Sequence, residues 1–353
     1  MSVSVQSAGP RLPVTILTGF LGSGKTTLLA SLLGRPEMAR TAVIINELGE
    51  IGLDHELIRI GGDESAMLLS SGCVCCTIRS DLADTLRELF QKRVRGQIPD
   101  FERVVLETTG LADPAPILHT LISDPITEAR YRLDGVITTI DAVHGAGQLD
   151  AHPEAMKQAA MADRILLTKT DIADPAVTAH LIERLARLNP AADPIMAVRG
   201  AVEPAAILAS GFGTKGPEVA AWLAAEAERA AHEHHGHDHG HAHEHGHGLD
   251  PHRHEGGIES FSLRFDKPLQ WDQVAAALDR LASFTGEKLL RVKAILDVAG
   301  NDRPVVVHGV QHLFHPPELL ESWHGATPHS RIVFITRDVE RSAVERTFLA
   351  LLG

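Results

Sequence analysis

Gly19-Phe20-Leu21-Gly22-Ser23-Gly24-Lys25-Thr26 has the spacing G-x-x-x-x-G-K-[ST]. Glycines at these positions let backbone N–H groups close around phosphate oxygens, and a helix that follows brings its positive end. Lys25 is expected to reach the β- and γ-phosphates and the Thr26 hydroxyl to ligate Mg²⁺. Gly19, Gly22, Ser23, Gly24 and Thr27 complete the expected phosphate contacts. Further along, Val104-Val105-Leu106-Glu107-Thr108-Thr109-Gly110 ends an apolar strand in a carboxylate and a glycine. Glu107 is expected to hold Mg²⁺ or its water, and the Gly110 N–H to sense the γ-phosphate. Thr168-Lys169-Thr170-Asp171 has the form of the guanine-reading N-K-x-D, with Thr168 in the place of Asn. Asp171 would accept from the guanine N1–H and exocyclic amine, and the Lys169 stem would cover the base. A polar contact of this kind can discriminate against adenine by roughly 10⁴-fold.

A second chemistry lies in Gly72-Cys73-Val74-Cys75-Cys76, which holds all three cysteines of the chain. Thiolates select Zn²⁺ or Cu(I) over Mg²⁺ or Ca²⁺. A closed structural zinc site draws four ligands, usually from two separated pairs. No second pair is present, and an incomplete set suits a metal that must leave again. Glu47 in Asn46-Glu47-Leu48-Gly49-Glu50 is the preferred fourth ligand and Glu50 the reserve. The alternative for the cysteines is an inert buried cluster or a redox pair. Residues 232–254 contain 11 of the 21 histidines. This tract reads as a metal buffer without fixed geometry, or else as a polar, pH-sensitive linker. His308, His312 and His315 have no recognised ligand spacing and read as strand-surface residues.

The elements that must position these groups follow from the apolar pattern. Val14–Leu17, Ala42–Ile45, Val104–Leu106, Val136–Ile140 and Ile165–Leu167 are near-continuous apolar runs separated by helical stretches. They suit strands of a parallel sheet buried on both faces, with ligand loops at their carboxyl ends. The expected organisation is an N-terminal tail over 1–11, a doubly wound α/β domain over 12–200, a linker over 201–257, and a smaller α+β domain over 258–353. In the last, Phe261, Leu263 and Phe265 alternate as in a half-buried strand, 271–284 has helical spacing, and strands are expected at 289–298, 305–314 and 332–335 in a largely antiparallel sheet.

The chain has 353 residues, 44% of them apolar, and a formal charge of -13. That size allows two cores, and the charge argues against nonspecific binding to nucleic acid or anionic lipid. The first residues lack the basic start and apolar stretch of a secretory signal, and no apolar run approaches the roughly 18 residues of a membrane span. A soluble, cytoplasmic protein is expected.

Taken in order, G-F-L-G-S-G-K-T-T at 19–27, N-E-L-G-E at 46–50, G-C-V-C-C at 72–76, E-T-T-G at 107–110 and T-K-T-D at 168–171 resemble the CobW-like GTPase metallochaperones. The resemblance covers nearly the whole chain. It implies a P-loop GTPase that uses GTP and Mg²⁺, binds Zn²⁺ or Co²⁺ at Cys73, Cys75 and Cys76, and passes the metal to a client protein. The expected partners are that client and, under nucleotide control, a second copy of the chain. Two other classes share part of this pattern. In a metal-storage protein the phosphate loop would only stabilise the fold. A small-molecule kinase would need an Arg-rich acceptor pocket and a closing lid, and no segment reads so.

Overall fold

The computed structural model describes residues 11–45, 55–60, 67–70, 78–192, 194–208, 257–320, 322–323 and 327–352, with the backbone alone described for 55–60, 67–70 and 78–81. Glu47, Glu50, Cys73, Cys75, Cys76 and the histidine tract 232–254 therefore lie outside the described residues.

The apolar runs form strands because neighbouring residues are buried on opposite faces of one sheet. Ile16 packs with Ile44, Leu106 and Val136 on one side, while Leu17 packs with Val43, Val105 and Ile137 on the other. The strands are β1 (Leu12–Gly19), β2 (Thr41–Ile45), β3 (His55–Ile60), β4 (Met67–Ser70), β5 (Arg103–Glu107), β6 (Tyr131–Asp141), β7 (Arg164–Thr168) and β8 (Pro194–Ala197). Their order is β4-β3-β2-β5-β1-β6-β7-β8. The six from β2 to β8 in that order are parallel, and β3 and β4 run antiparallel at one edge. Sequence reading did not find that edge pair, because His55, Glu56 and Arg59 break up the apolar pattern of β3.

The crossover helices are α1 (Lys25–Leu33), α2 (Ile78–Val94), α3 (Pro114–Ser123), α4 (Pro125–Arg130), α5 (Gly145–Ala151), α6 (Pro153–Met161) and α7 (Pro175–Leu188). Leu28, Leu29 and Leu32 turn α1 onto the Leu17 face. Leu82, Leu86 and Leu89 of α2, with Leu181 and Leu185 of α7, cover the other face. Several helices start where an aspartate caps them ahead of a proline. Asp113 accepts from the Ala115 N–H, Asp124 from Thr127, and Asp174 from Ala176. Such caps satisfy N–H groups that the first turn leaves unpaired.

The C-terminal part is an antiparallel sheet of β9 (Ile258–Phe265), β10 (Leu289–Leu296), β11 (Val305–Val310), β12 (Leu313–Phe314), β13 (Glu318–Leu319) and β14 (Ser330–Arg337). The single strand expected over 305–314 is instead a hairpin, broken where Gln311 takes a φ of 55°. Helices α8 (Trp271–Thr285) and α9 (Arg341–Leu352) cover one face, over Val292, Ala294, Ile332 and Phe334. The opposite face sends Ile258, Leu290, Val310 and Ile335 into the core of the first sheet.

That contact is centred on a buried ion cluster. Asp163, between α6 and β7, accepts from Arg291 at 2.5 Å, Lys293 at 2.9 Å and the Val136 N–H at 2.8 Å. Burial alone would raise its carboxyl, but Arg291 and Lys293 outweigh it and hold the group well below the usual carboxylate range. His308 and His315, expected on a strand surface, turn to this seam instead, and both His308 ring nitrogens and His315 Nε2 are shielded from solvent. The hairpin at Gln311 brings the two rings within 6.4 Å of each other.

Removing one partner of a buried ion pair leaves an uncompensated charge. Asp163→Ala is therefore expected to cost about 3–5 kcal/mol in urea unfolding. Arg40→Ala, which breaks exposed pairs with Asp100 and Glu102, should cost less than about 1 kcal/mol. Burial, with the Arg291 guanidinium, pushes the His315 imidazole down to about 4 from 6.5. The unfolded chain thus binds more protons between these values. Stability from this group is complete above pH 6.5 and is lost as pH falls toward 4. His315→Gln should flatten that slope when unfolding is followed across the range.

Candidate functional site

Every chemically suggestive loop within the described residues leaves the carboxyl edge of the parallel sheet. The phosphate loop leaves β1, the Glu107 loop leaves β5, Asp141 closes β6, Thr168 closes β7, and a turn at Arg199 follows β8. Because β1 lies between β5 and β6, the chain departs to both sides there, which opens a crevice at the sheet edge.

Gly19 ends β1, and the loop closes with the Ser23 N–H donating to the Phe20 carbonyl. Gly22 and Gly24 take left-handed φ values of 74° and 90°, and Gly24 stands at the start of α1 with no side-chain cap. Uncapped N–H groups at a helix start suit an anion. Lys25, buried in the first turn, spans the loop and donates to the carbonyls of Gly19 at 2.9 Å and Phe20 at 3.3 Å. Thr26 and Thr27 are exposed beside it. The Thr26 hydroxyl donates to Glu107 Oε1 at 2.6 Å. A hydroxyl and a buried carboxylate in contact are hard oxygen donors, and they fit Mg²⁺.

Neighbouring strand ends hold the loop. Ser23 Oγ and Thr139 Oγ1 are 2.7 Å apart, and Thr168 Oγ1 donates to the Ser23 carbonyl at 2.7 Å. Thr168, which stands in the place of Asn, thus ties the turn at 168–171 to the phosphate loop. Gly110 lies so close to Leu21 that a Cβ there would meet the Leu21 backbone N at 2.6 Å. Gln158 on α6, fully buried, donates to the carbonyls of Gly110 and Ala112 and pins the loop from behind.

Past β7, Lys169 has a φ of 58° and its Nζ donates to Asp141 Oδ2 at 2.6 Å. Asp141 also accepts from the Val143 and His144 N–H groups. Asp171 pairs with Arg199. The structure therefore brings together the phosphate-loop residues with Glu107 and Gly110, and sets Lys169 and Asp171 on the adjoining loop. Sequence reading missed Thr139, Asp141, Gln158 and Arg199. Asp141 carried the signal already used for Glu107, an apolar strand closing in an acid, whereas Gln158 and Arg199 carried none. Among the described residues no three His, Cys, Asp or Glu side chains gather so as to hold a metal ion.

Residues 13–196 match the family model of the CobW/HypB/UreG nucleotide-binding domain, and residues 258–352 match that of the cobalamin synthesis protein cobW C-terminal domain. The chain belongs to the CobW/HypB/UreG family. It is 34% identical over 347 residues to the zinc chaperone YjiA of Escherichia coli, covering 96% of this chain and 98% of that protein. It is 30% identical over 333 residues to a zinc chaperone CobW of Sinorhizobium, covering 85% of each. Among solved structures, the Zn(II)-bound YjiA GTPase from E. coli matches with a TM-score of 0.70 at 30% identity, over 97% of this chain and 99% of that one. The two matched regions of this CobW-type chain correspond to its parallel and antiparallel sheets. No helix among the described residues is long and apolar enough to cross a membrane.

A methyl group at Gly110 would overpack against the phosphate loop by about 1–3 kcal/mol. Gly110→Ala is expected to lower kcat for GTP by about tenfold, since 1.36 kcal/mol is a factor of ten. GDP affinity should fall as well, because the clash is with Leu21 of the phosphate loop itself. Steady-state turnover and GDP titration check both losses.

Proposed function

We propose that this GTPase binds Zn²⁺ through Cys73, Cys75 and Cys76, with Glu47 completing the set, and passes the ion to a client protein under control of bound nucleotide. The observation that carries the coupling is a strand register. Ile45, the last residue of β2, lies opposite Glu107 on β5. Asn46 and Glu47 follow at once in sequence, so the segment with the proposed fourth ligand departs beside the carboxylate that contacts Thr26. The cysteines fall between β4, which ends at Ser70, and α2, which begins at Ile78. The naming of YjiA and CobW as zinc chaperones supports zinc as the cargo, and Co²⁺ is the alternative occupant.

In this proposal Lys25 and the loop N–H groups hold the β- and γ-phosphates, and Asp171 with Lys169 reads the base. Mg²⁺ would be held by Thr26, with Glu107 binding it directly or through water. When bound, the ion neutralises charge on the phosphates during hydrolysis. A change around Glu107 and Gly110 on hydrolysis shifts the segment that follows Ile45, and with it Glu47. Three thiolates left with an altered fourth partner then release the metal more readily. The histidine tract 232–254 serves as a low-selectivity metal buffer. Linkage makes the coupling reciprocal: if nucleotide alters metal affinity, metal alters nucleotide affinity by the same factor.

Lys25→Ala should reduce GTP hydrolysis by at least about a hundredfold, in line with the loss of other charge-stabilising contacts. The coupling is checked by titrating Zn²⁺ into the full chain with GDP, with a nonhydrolysable GTP analogue and with no nucleotide. Cys75→Ser is expected to abolish the tight phase of binding. Equal affinity under all three conditions would sink the nucleotide control, and a Cys75→Ser protein that binds as tightly as the parent would sink the cysteine site.

A further inference from the structure

The base-reading carboxylate has a partner that the motif does not supply. Arg199 Nε donates to Asp171 Oδ2 at 3.4 Å, and among the described residues it is the one hydrogen-bond partner of that carboxylate. Asp171 stands in an open turn, with the Ile172 N–H donating to the Lys169 carbonyl and the Ile172 side chain 71% exposed. A carboxylate has two oxygens and about four acceptor directions, enough to take an arginine on one side and two base N–H groups on the other.

The turn that carries Arg199 is itself fixed. Val198 and Ala201 form an isolated bridge, closed by the Ala201 N–H donating to the Val198 carbonyl at 2.8 Å. Arg199 and Gly200 between them both take left-handed φ values, 53° and 73°. Turns of this shape favour Asn or Gly at both central positions, so an arginine there runs against backbone preference. Gly200 lies on the first turns of α1, where an added Cβ would meet the Thr27 carbonyl at 3.1 Å. The helix that follows the phosphate loop thus backs the turn, and the turn presents Arg199 to Asp171.

We propose that Arg199 is a positioning residue for base recognition: it holds the Asp171 carboxylate in plane for the guanine N1–H and exocyclic amine. The inference rests on the reading of Asp171 as the guanine contact. Its effect is on discrimination and on binding, not on phosphate chemistry, because Arg199 faces the base end of the crevice.

The test measures GDP, IDP and ADP binding to the full chain and to Arg199→Ala and Arg199→Lys. IDP lacks the exocyclic amine, so the GDP-to-IDP ratio reports the second contact to Asp171. Arg199→Ala is expected to weaken GDP by about two- to tenfold, the range of an exposed charge-assisted contact. The GDP-to-IDP ratio should fall toward one, KM for GTP should rise with kcat unchanged, and pyrophosphate binding should stay as in the parent. Arg199→Lys should recover part of the loss. The Arg199 side chain is 86% exposed, so an unchanged melting temperature is expected and excludes unfolding as the cause. An unchanged ratio, or tighter GDP binding as from a competitor for Asp171, overturns the proposal. A separate arm uses Asp171→Asn, which should favour xanthosine over guanosine nucleotides, because an amide donates to the xanthine O2. Failure of that arm removes the base reading and the inference together. Success there with no Arg199 effect removes the inference alone.

Discussion

The phosphate loop can bind phosphate only if its backbone N–H groups are held open. Hydroxyls on the neighbouring strand ends meet that requirement. Thr139 on β6 reaches Ser23 Oγ, and Thr168 on β7 donates to the Ser23 carbonyl. On the other side, Thr108 donates to Thr18 Oγ1 and the Thr108 N–H to the Leu17 carbonyl. The parallel order of β5, β1, β6 and β7 sets these hydroxyls at one edge of the sheet, so the loop, the acid at Glu107 and the turn at 168–171 form one connected frame. A preorganised frame of this kind holds donors where charge develops without rearranging them during the reaction.

The second sheet is joined to this frame at its far edge, not near the phosphate. Asp163 precedes β7, and the same strand ends in Thr168 at the crevice. Arg291 and Lys293 therefore grip the amino end of a strand whose carboxyl end positions the base turn. A buried ion cluster is costly to form and more costly to break, which makes it a better device for fixing one arrangement of two domains than for adding net stability. His308 and His315 sit in the same seam with their imidazoles kept neutral by burial and by Arg291. The seam is thereby tuned to neutral pH.

In the proposed function nucleotide and metal use opposite kinds of ligand, carried on different segments. The hard oxygens of Thr26 and Glu107 are in contact at the phosphate loop, and the proposed soft ligands Cys73, Cys75 and Cys76 fall in sequence between β4 and α2. Glu47 is the proposed link, a hard ligand added to a soft set, and a mixed set is easier to loosen than a closed cage of four thiolates.

The phosphate loop, Glu107 at the end of β5 and the succession of buried strands were legible in the sequence. Each of these is encoded within a few consecutive residues, as a spacing or an apolar run, and local backbone geometry needs no distant partner to express it. Only the tertiary structure decided what those residues touch. The Thr168 contact to Ser23 joins positions 145 apart, Arg291 reaches Asp163 across 128, and Arg199 reaches Asp171 across 28. It also turned His308 and His315 from an expected surface into the domain seam, and it gave Thr168 a partner in the loop where the motif suggested one in the base. Contacts across such separations depend on strand order and on which face each strand buries, and those are settled by packing, not by any spacing along the chain.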